Sequence, residues 1–241
     1  MATYLYCVRS DAVFPPDALL GLDGERVRAV PAGDLHAWVS DVGSTSVPAS
    51  VERLRAHDAV CAVAMEAGDT PLPVRFGQVF ADDIAAADAV ATRHGELLAR
   101  LGRIAGCVEL RVVITRGRGM DSPAEGVDRT LGRSTEPAVA SADSEGPGTV
   151  FLRRLARAGR AELAREIGCE EVRHAIRDAA RAIIVDQHRC ETARGLAYFP
   201  VLVRRNDVDA FRESVGNTLP SQAIDLSILG PFAPYSFASD A

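Results

Sequence analysis

The sequence predicts an α+β fold in two domains, over residues 1–105 and 106–241, and three observations predict it. The chain has 241 residues, enough for one large or two small domains of ordinary size. Its hydrophobic fraction of 47% and charged fraction of 25% are those of a globular protein with a core. Along the chain, β-branched and aromatic runs are interleaved with stretches of helical periodicity.

The N-terminal domain reads as a small sheet followed by helices. Thr3–Val8 is β-branched and aromatic, Pro15-Pro16 and the 21–24 stretch break the pattern, and Arg26–Val30 resumes it. Pro31-Ala-Gly-Asp34 has turn chemistry, so His36–Val42 should pair back as a hairpin. From Val51, apolar Leu54, Cys61, Ala62 and Met65 recur at helical spacing, with Gly68 as the stop. Pro71 and Pro73 forbid further helix, so Leu72–Phe80 should be extended. Asp82 is placed to cap one helix running through Ile84, Leu98, Leu101 and Ile104 to Gly106.

The C-terminal domain opens with a strand, Cys107–Thr115. Residues 116–148 are rich in Gly, Pro, Ser, Ala and Asp without apolar period, which predicts a mobile inserted loop. Phe151–Ile167 and Val172–Gln187 have helical periodicity; Leu196–Val203 reads as a strand. Asn206 or Asp207 should cap a helix through Phe211 and Val215, and Ile224–Leu229 is the last strand. Strand, long helices, strand, helix, strand is the order of a ferredoxin-like layer, but three clear strands stand where four are needed. The expectation is therefore a modified ferredoxin-like domain with long helices.

Composition narrows the function. All 27 basic side chains are arginines, which excludes Schiff-base and P-loop lysine chemistry. A net charge of −6 is the wrong sign for a nucleic-acid binder. The longest run free of charged side chains, 226–239, contains two prolines and falls short of the roughly 20 apolar residues of a membrane span. The start of the chain lacks the pattern of a signal peptide, so a cytoplasmic protein is expected. Five widely spaced cysteines without a CxxC predict reduced, buried thiols and no disulfide framework.

Motif chemistry is sparse. His57 and Cys61 lie four apart on one helix face, but no orienting third group is visible, so a buried Cys beside a His outweighs a nucleophilic pair. His174, His188 and Cys190 match no zinc spacing, and no metal or cofactor is expected. Arg153, Arg157 and Arg160 share a helix face, and Arg194-Gly-Leu-Ala-Tyr-Phe199 partly imitates an RNA-recognition strand. An RNA- or nucleotide-binding module is accordingly the alternative function.

Two segments remain, each bounded by Pro and Gly and rich in aromatic residues. In Pro71–Phe80, Arg75 should face away from Val74 and Phe76. In Gly230–Phe237, prolines stiffen a tail carrying Phe232, Tyr235 and Phe237, a composition that suits docking on the body or meeting a partner.

These segments carry a resemblance. Pro73–Phe80 stands where the GvpL/GvpF family of gas vesicle proteins has P-x-R-F-G-x-V-F. Gly230-Pro-Phe-Ala-Pro-Tyr-Ser-Phe237 is similar to its closing G-P-W-P-P-Y-S-F, with Phe232 for Trp and Ala233 for Pro. Gly148–Arg154 and Cys107–Val113 extend the likeness nearly end to end. The resemblance implies an accessory or minor structural protein of the gas vesicle, in contact with the main shell protein and without catalysis. The expected contact residues are Arg75, Phe76, Phe232, Tyr235 and Phe237.

Overall fold

The computed structural model describes residues 1–116, 168–193, 196–218 and 224–238. The loop expected over 116–148, apart from Arg116, and the helix expected over 151–167 lie outside the described residues, as do Arg153, Arg157 and Arg160.

The first sheet comprises β1 (Ala2–Arg9), β2 (Arg28–Ala32), β3 (Leu35–Val42), β4 (Leu72–Pro73) and β5 (Val79–Phe80). Its order is β2-β3-β1-β4, with β5 also pairing β1, and all the pairs are antiparallel. Every residue of β1 is buried, because helix α1 (Val51–Glu66) packs on one face while α2 (Asp83–Thr92) lies against the other. That is why β1 reads as a nearly continuous apolar run. A bulge between Leu5 and Cys7 breaks its alternation, so Tyr6 and Cys7 join one cluster with Tyr4 while Leu5 and Val8 join the other.

Local chemistry sets the helix ends. The Ser50 hydroxyl accepts from the Arg53 amide at 3.2 Å and the Asp82 carboxylate from that of Ala85 at 2.8 Å, satisfying donors that a first helical turn leaves open. The single helix expected from Asp82 to Gly106 is two, α2 and α3 (His94–Ile104). The backbone leaves the helix at Arg93, where the Thr92 hydroxyl takes the Asp88 carbonyl and the Arg93 guanidinium turns to Glu96.

The second sheet contains β6 (Cys107–Arg116), β7 (Ile184–Gln187), β8 (Glu191–Ala193), β9 (Leu196–Arg204) and β10 (Ile224–Phe232). Its order is β10-β6-β9-β7, antiparallel throughout, with β8 also on β9. Helices α4 (Cys169–Ala179) and α5 (Val208–Thr218) supply Val172, Ile176, Phe211 and Val215 to the core beneath this sheet.

Two expectations are corrected here. The helix expected over Val172–Gln187 ends at Ala179, and Ile184–Gln187 is the strand that the sequence pattern lacked. Its apolar residues keep helical spacing with the preceding turn, but pairing with β9 decides their state. Cys169 and Cys190, expected as free thiols, form a disulfide, while Cys7, Cys61 and Cys107 are free and buried.

The core is continuous across the two sheets. One cluster joins Tyr6, Trp38 and Cys61 to Val112, Val201 and Phe211; the other joins Leu5, Leu72 and Leu101 to Leu202 and Phe237. No helix among the described residues is long and apolar enough to cross a membrane.

Candidate functional site: two aromatic segments meeting at His57

The 71–80 segment runs along the edge of β1. Val8 pairs with Leu72 and Cys7 with Pro73, then Tyr4 with Val79 and Thr3 with Phe80. Between them the chain turns out, with Gly77 at φ 94°, a left-handed conformation that side chains disfavour. The Gly77 amide donates to the Tyr4 hydroxyl at 3.1 Å. Within this turn Arg75 is exposed, whereas Val74 and Phe76 are half-buried. Phe76 packs against the rings of Tyr4 and His57, with centroids 5.8 and 5.9 Å away.

The C-terminal tail reaches the same place from the other sheet. Glu109, on the face of β6 opposite Val108 and Leu110, is fully buried, and the tail bonds to it there. Its carboxylate accepts from the Ser236 amide at 2.8 Å and the Ser236 hydroxyl at 3.0 Å, and pairs with Arg111 at 3.0 Å. Charge-assisted bonds of this kind are the strong ones. Held there, Tyr235 lies against His57 with centroids 5.9 Å apart. Phe237 is buried and packs at a tilt against His188, with ring centroids 4.5 Å apart.

Phe232 has a different neighbour. The Arg111 guanidinium lies 5.8 Å from its ring centroid and 5.4 Å from that of Tyr198, cation–π geometry in both cases. Of the five expected contact residues, the fold thus brings Phe76 and Tyr235 together at His57. It leaves Arg75 exposed beside them, sets Phe232 half-buried over Arg111, and encloses Phe237.

His57 and Glu109 are the residues that organise the site. Glu109 had one legible sign, a lone carboxylate within the apolar strand Cys107–Thr115. Nothing in the sequence showed what it would hold.

The buried chemistry around His57 is a compact cluster of polar groups. The Tyr4 hydroxyl shares a hydrogen bond with His57 Nδ1 at 2.9 Å, and His57 Nε2 lies 3.9 Å from Cys61 Sγ. Tyr4 is thus the orienting third group that the sequence did not reveal. The neighbouring Cys7 thiol, then His57, favour the Cys61 thiolate over the opposing effect of burial and bring it down to about 6. Cys7 is driven well upward by its complete desolvation. An acidic thiol beside an imidazole is the composition of a nucleophilic pair. Here Cys61, Cys7 and Tyr4 have no solvent exposure and His57 has 3%, so the thiol faces protein on every side.

The RNA-like strand also turns inward. Phe199 is fully buried and offers no face for base stacking, and the Tyr198 ring has Arg111 over it. Among the described residues, no three His, Cys, Asp or Glu side chains are grouped to hold a metal ion.

The site therefore defines a class: a two-sheet α+β protein whose aromatic tail is clamped onto its body, with its polar cluster sealed inside. Comparison with known proteins gives the family. Residues 2–239 match the family described as "Gas vesicle synthesis protein GvpL/GvpF", and the chain belongs to it. Gas vesicle protein L2 of Halobacterium salinarum is 29% identical over 98% of this chain and 91% of its own length. Gas vesicle protein L of a Streptomyces species is 30% identical over 99% of this chain and 93% of its own. The crystal structure of the gas vesicle protein GvpF from an Anabaena species superposes with a TM-score of 0.67 at 18% identity. It covers 100% of this chain and 99% of that one, a likeness of fold. The chain is thus a gas vesicle protein of a structural and accessory family.

Proposed function

We infer that the chain is an accessory or minor structural protein that binds the main shell protein of the gas vesicle and assists nucleation or assembly. The observation that carries this reading is the family match over residues 2–239. A shell protein lining a gas space has apolar surface exposed before it assembles, and such surface aggregates unless a partner covers or orders it.

The contact face in this reading is centred on exposed Arg75, with Phe76 and Tyr235 at its edge and Phe232 on the flank; Phe237 serves it from within as the anchor of the tail. No catalytic step is assigned. The reading also takes 1–105 and 106–241 as two domains, the second a modified ferredoxin-like layer. Supporting this, its sheet order is that of a βαββαβ unit, fourth strand, first, third, second, with β8 as the addition.

Co-purification of the shell protein with tagged full-length chain tests the proposal. Wild type should retain the shell protein, and Arg75→Ala and Tyr235→Ala should each reduce retention severalfold. Retention undiminished by both changes removes the contact face while leaving the function standing. Failure of the wild type to retain the shell protein removes the function.

A further inference from the structure

Beside the His57 cluster, a cleft of about 1200 Å³ opens between α2–α3 of the first half and the β7–β8 connection of the second. Arg75, Arg93, Arg100 and Arg189 line it, against a single lining carboxylate, Glu191. This is a local excess of positive charge on a chain whose net charge is −6. Arg93 and Arg100 share Glu96, and among the described residues neither Arg75 nor Arg189 forms an ion pair. The floor is aliphatic, from Leu5, Leu72, Val90 and Leu97. On the wall stands Gln187, whose buried amide nitrogen and oxygen both lack a hydrogen-bond partner.

Each feature selects a property of the ligand. Arginines without acidic partners take carboxylates in a planar two-point grip. Aliphatic surface takes aliphatic side chains. A carboxamide with donor and acceptor both unused matches the N–H and C=O of a peptide unit, and leaving them empty carries a desolvation penalty. The geometry points to this cleft as the seat of an extended polypeptide segment of a partner protein, with carboxylates along one side and aliphatic side chains along the other. The inference rests on the reading that this chain works through protein contacts, and it gives that contact its chemistry. An RNA strand suits the cleft less well, because the floor offers aliphatic carbon where bases would stack.

The test is fluorescence anisotropy on the full-length protein, with a dye-labelled octapeptide alternating leucine and glutamate as probe. Its leucine–lysine counterpart and a uridine octanucleotide serve as comparisons. The acidic peptide should bind, with affinity falling as salt rises, and both comparisons should bind about tenfold more weakly or not at all. The double variant Arg75→Glu/Arg189→Glu should weaken the acidic peptide about tenfold with an unchanged circular dichroism spectrum, and Gln187→Leu should weaken it severalfold. Absence of binding, equal binding of the lysine peptide, preference for the oligonucleotide, or indifference to the double variant overturns the proposal. Shell-protein capture separates the two readings. Peptide binding without capture keeps the cleft and removes that partner; capture unchanged by the charge reversal keeps the partner and removes the cleft.

Discussion

Arg9 ends β1 with its side chain 1% exposed. Asp11 grips the guanidinium at two points, each at 2.6 Å; the carbonyl oxygens of Ala64 and Asp69 accept from it, and Trp38 lies beneath at 5.3 Å. One side chain thereby ties the first sheet to the end of α1, where helix carbonyls lack internal donors. Arg9→Ala would leave those acceptors open, and a loss of about 3 kcal/mol is expected in urea unfolding. Lysine at this position should recover less than half of it, because an ammonium cannot span Asp11 and both carbonyls in one plane. The tyrosines give a pH prediction with a definite sign. Burial is the first cause raising all four phenols, Tyr4, Tyr6, Tyr198 and Tyr235. In the unfolded chain a phenol ionises near pH 10, so their contribution to stability is present below about pH 10 and is lost as pH rises through the folded values. The melting temperature should fall steeply above about pH 10, with tyrosinate absorbance appearing together with unfolding. Tyrosinate signal in a protein that remains folded would contradict the burial assigned to these rings.

The C-terminal tail is the element whose attachment is most specific, through Glu109. Glu109→Ala would leave the Ser236 donors and Arg111 without their shared acceptor, at a cost of about 2–4 kcal/mol. Amide exchange in 233–238 should then accelerate well beyond the change elsewhere, measured by mass spectrometry on the intact chain. Gly230 sets the tail's approach. At φ 111°, a Cβ there would lie 2.8 Å from the Glu109 carbonyl oxygen, so Gly230→Ala should destabilise by about 1–3 kcal/mol. Most strands and helices were legible in the sequence, because β1, β3, β6 and β9 are dense in β-branched and aromatic residues and the Ser50 and Asp82 caps precede their helices. The four-residue β7 was not, since it becomes a strand only through pairing with β9. The same holds for the Cys169–Cys190 bridge, whose halves are 21 residues apart and meet once the chain returns past the start of α4. The site was legible in composition but not in arrangement. Aromatic residues and turns marked both segments, whereas their meeting at His57 depends on a bulge in β1 and a tail arriving from another sheet.

Across the whole molecule, the tail acts as a brace between the sheets. Phe237 and Ala238 share a cluster with Leu5, Leu72 and Leu101, and Ala233 shares the other with Tyr6 and Val108. Loosening the tail should therefore disturb the first half of the chain as well as the second, and the Glu109→Ala protein should unfold in one transition shifted to lower temperature. The same brace sets Arg75 and the cleft on one side of the molecule, which makes that side the proposed meeting place with the shell protein. A photo-crosslinking amino acid at position 75, compared with one at exposed position 213 on α5, in cells producing the full set of gas vesicle proteins, tests this most directly. A crosslink to the main shell protein is expected from position 75 and little from 213; shell-protein crosslinks from 213 alone, or from both at equal yield, would refute this placement.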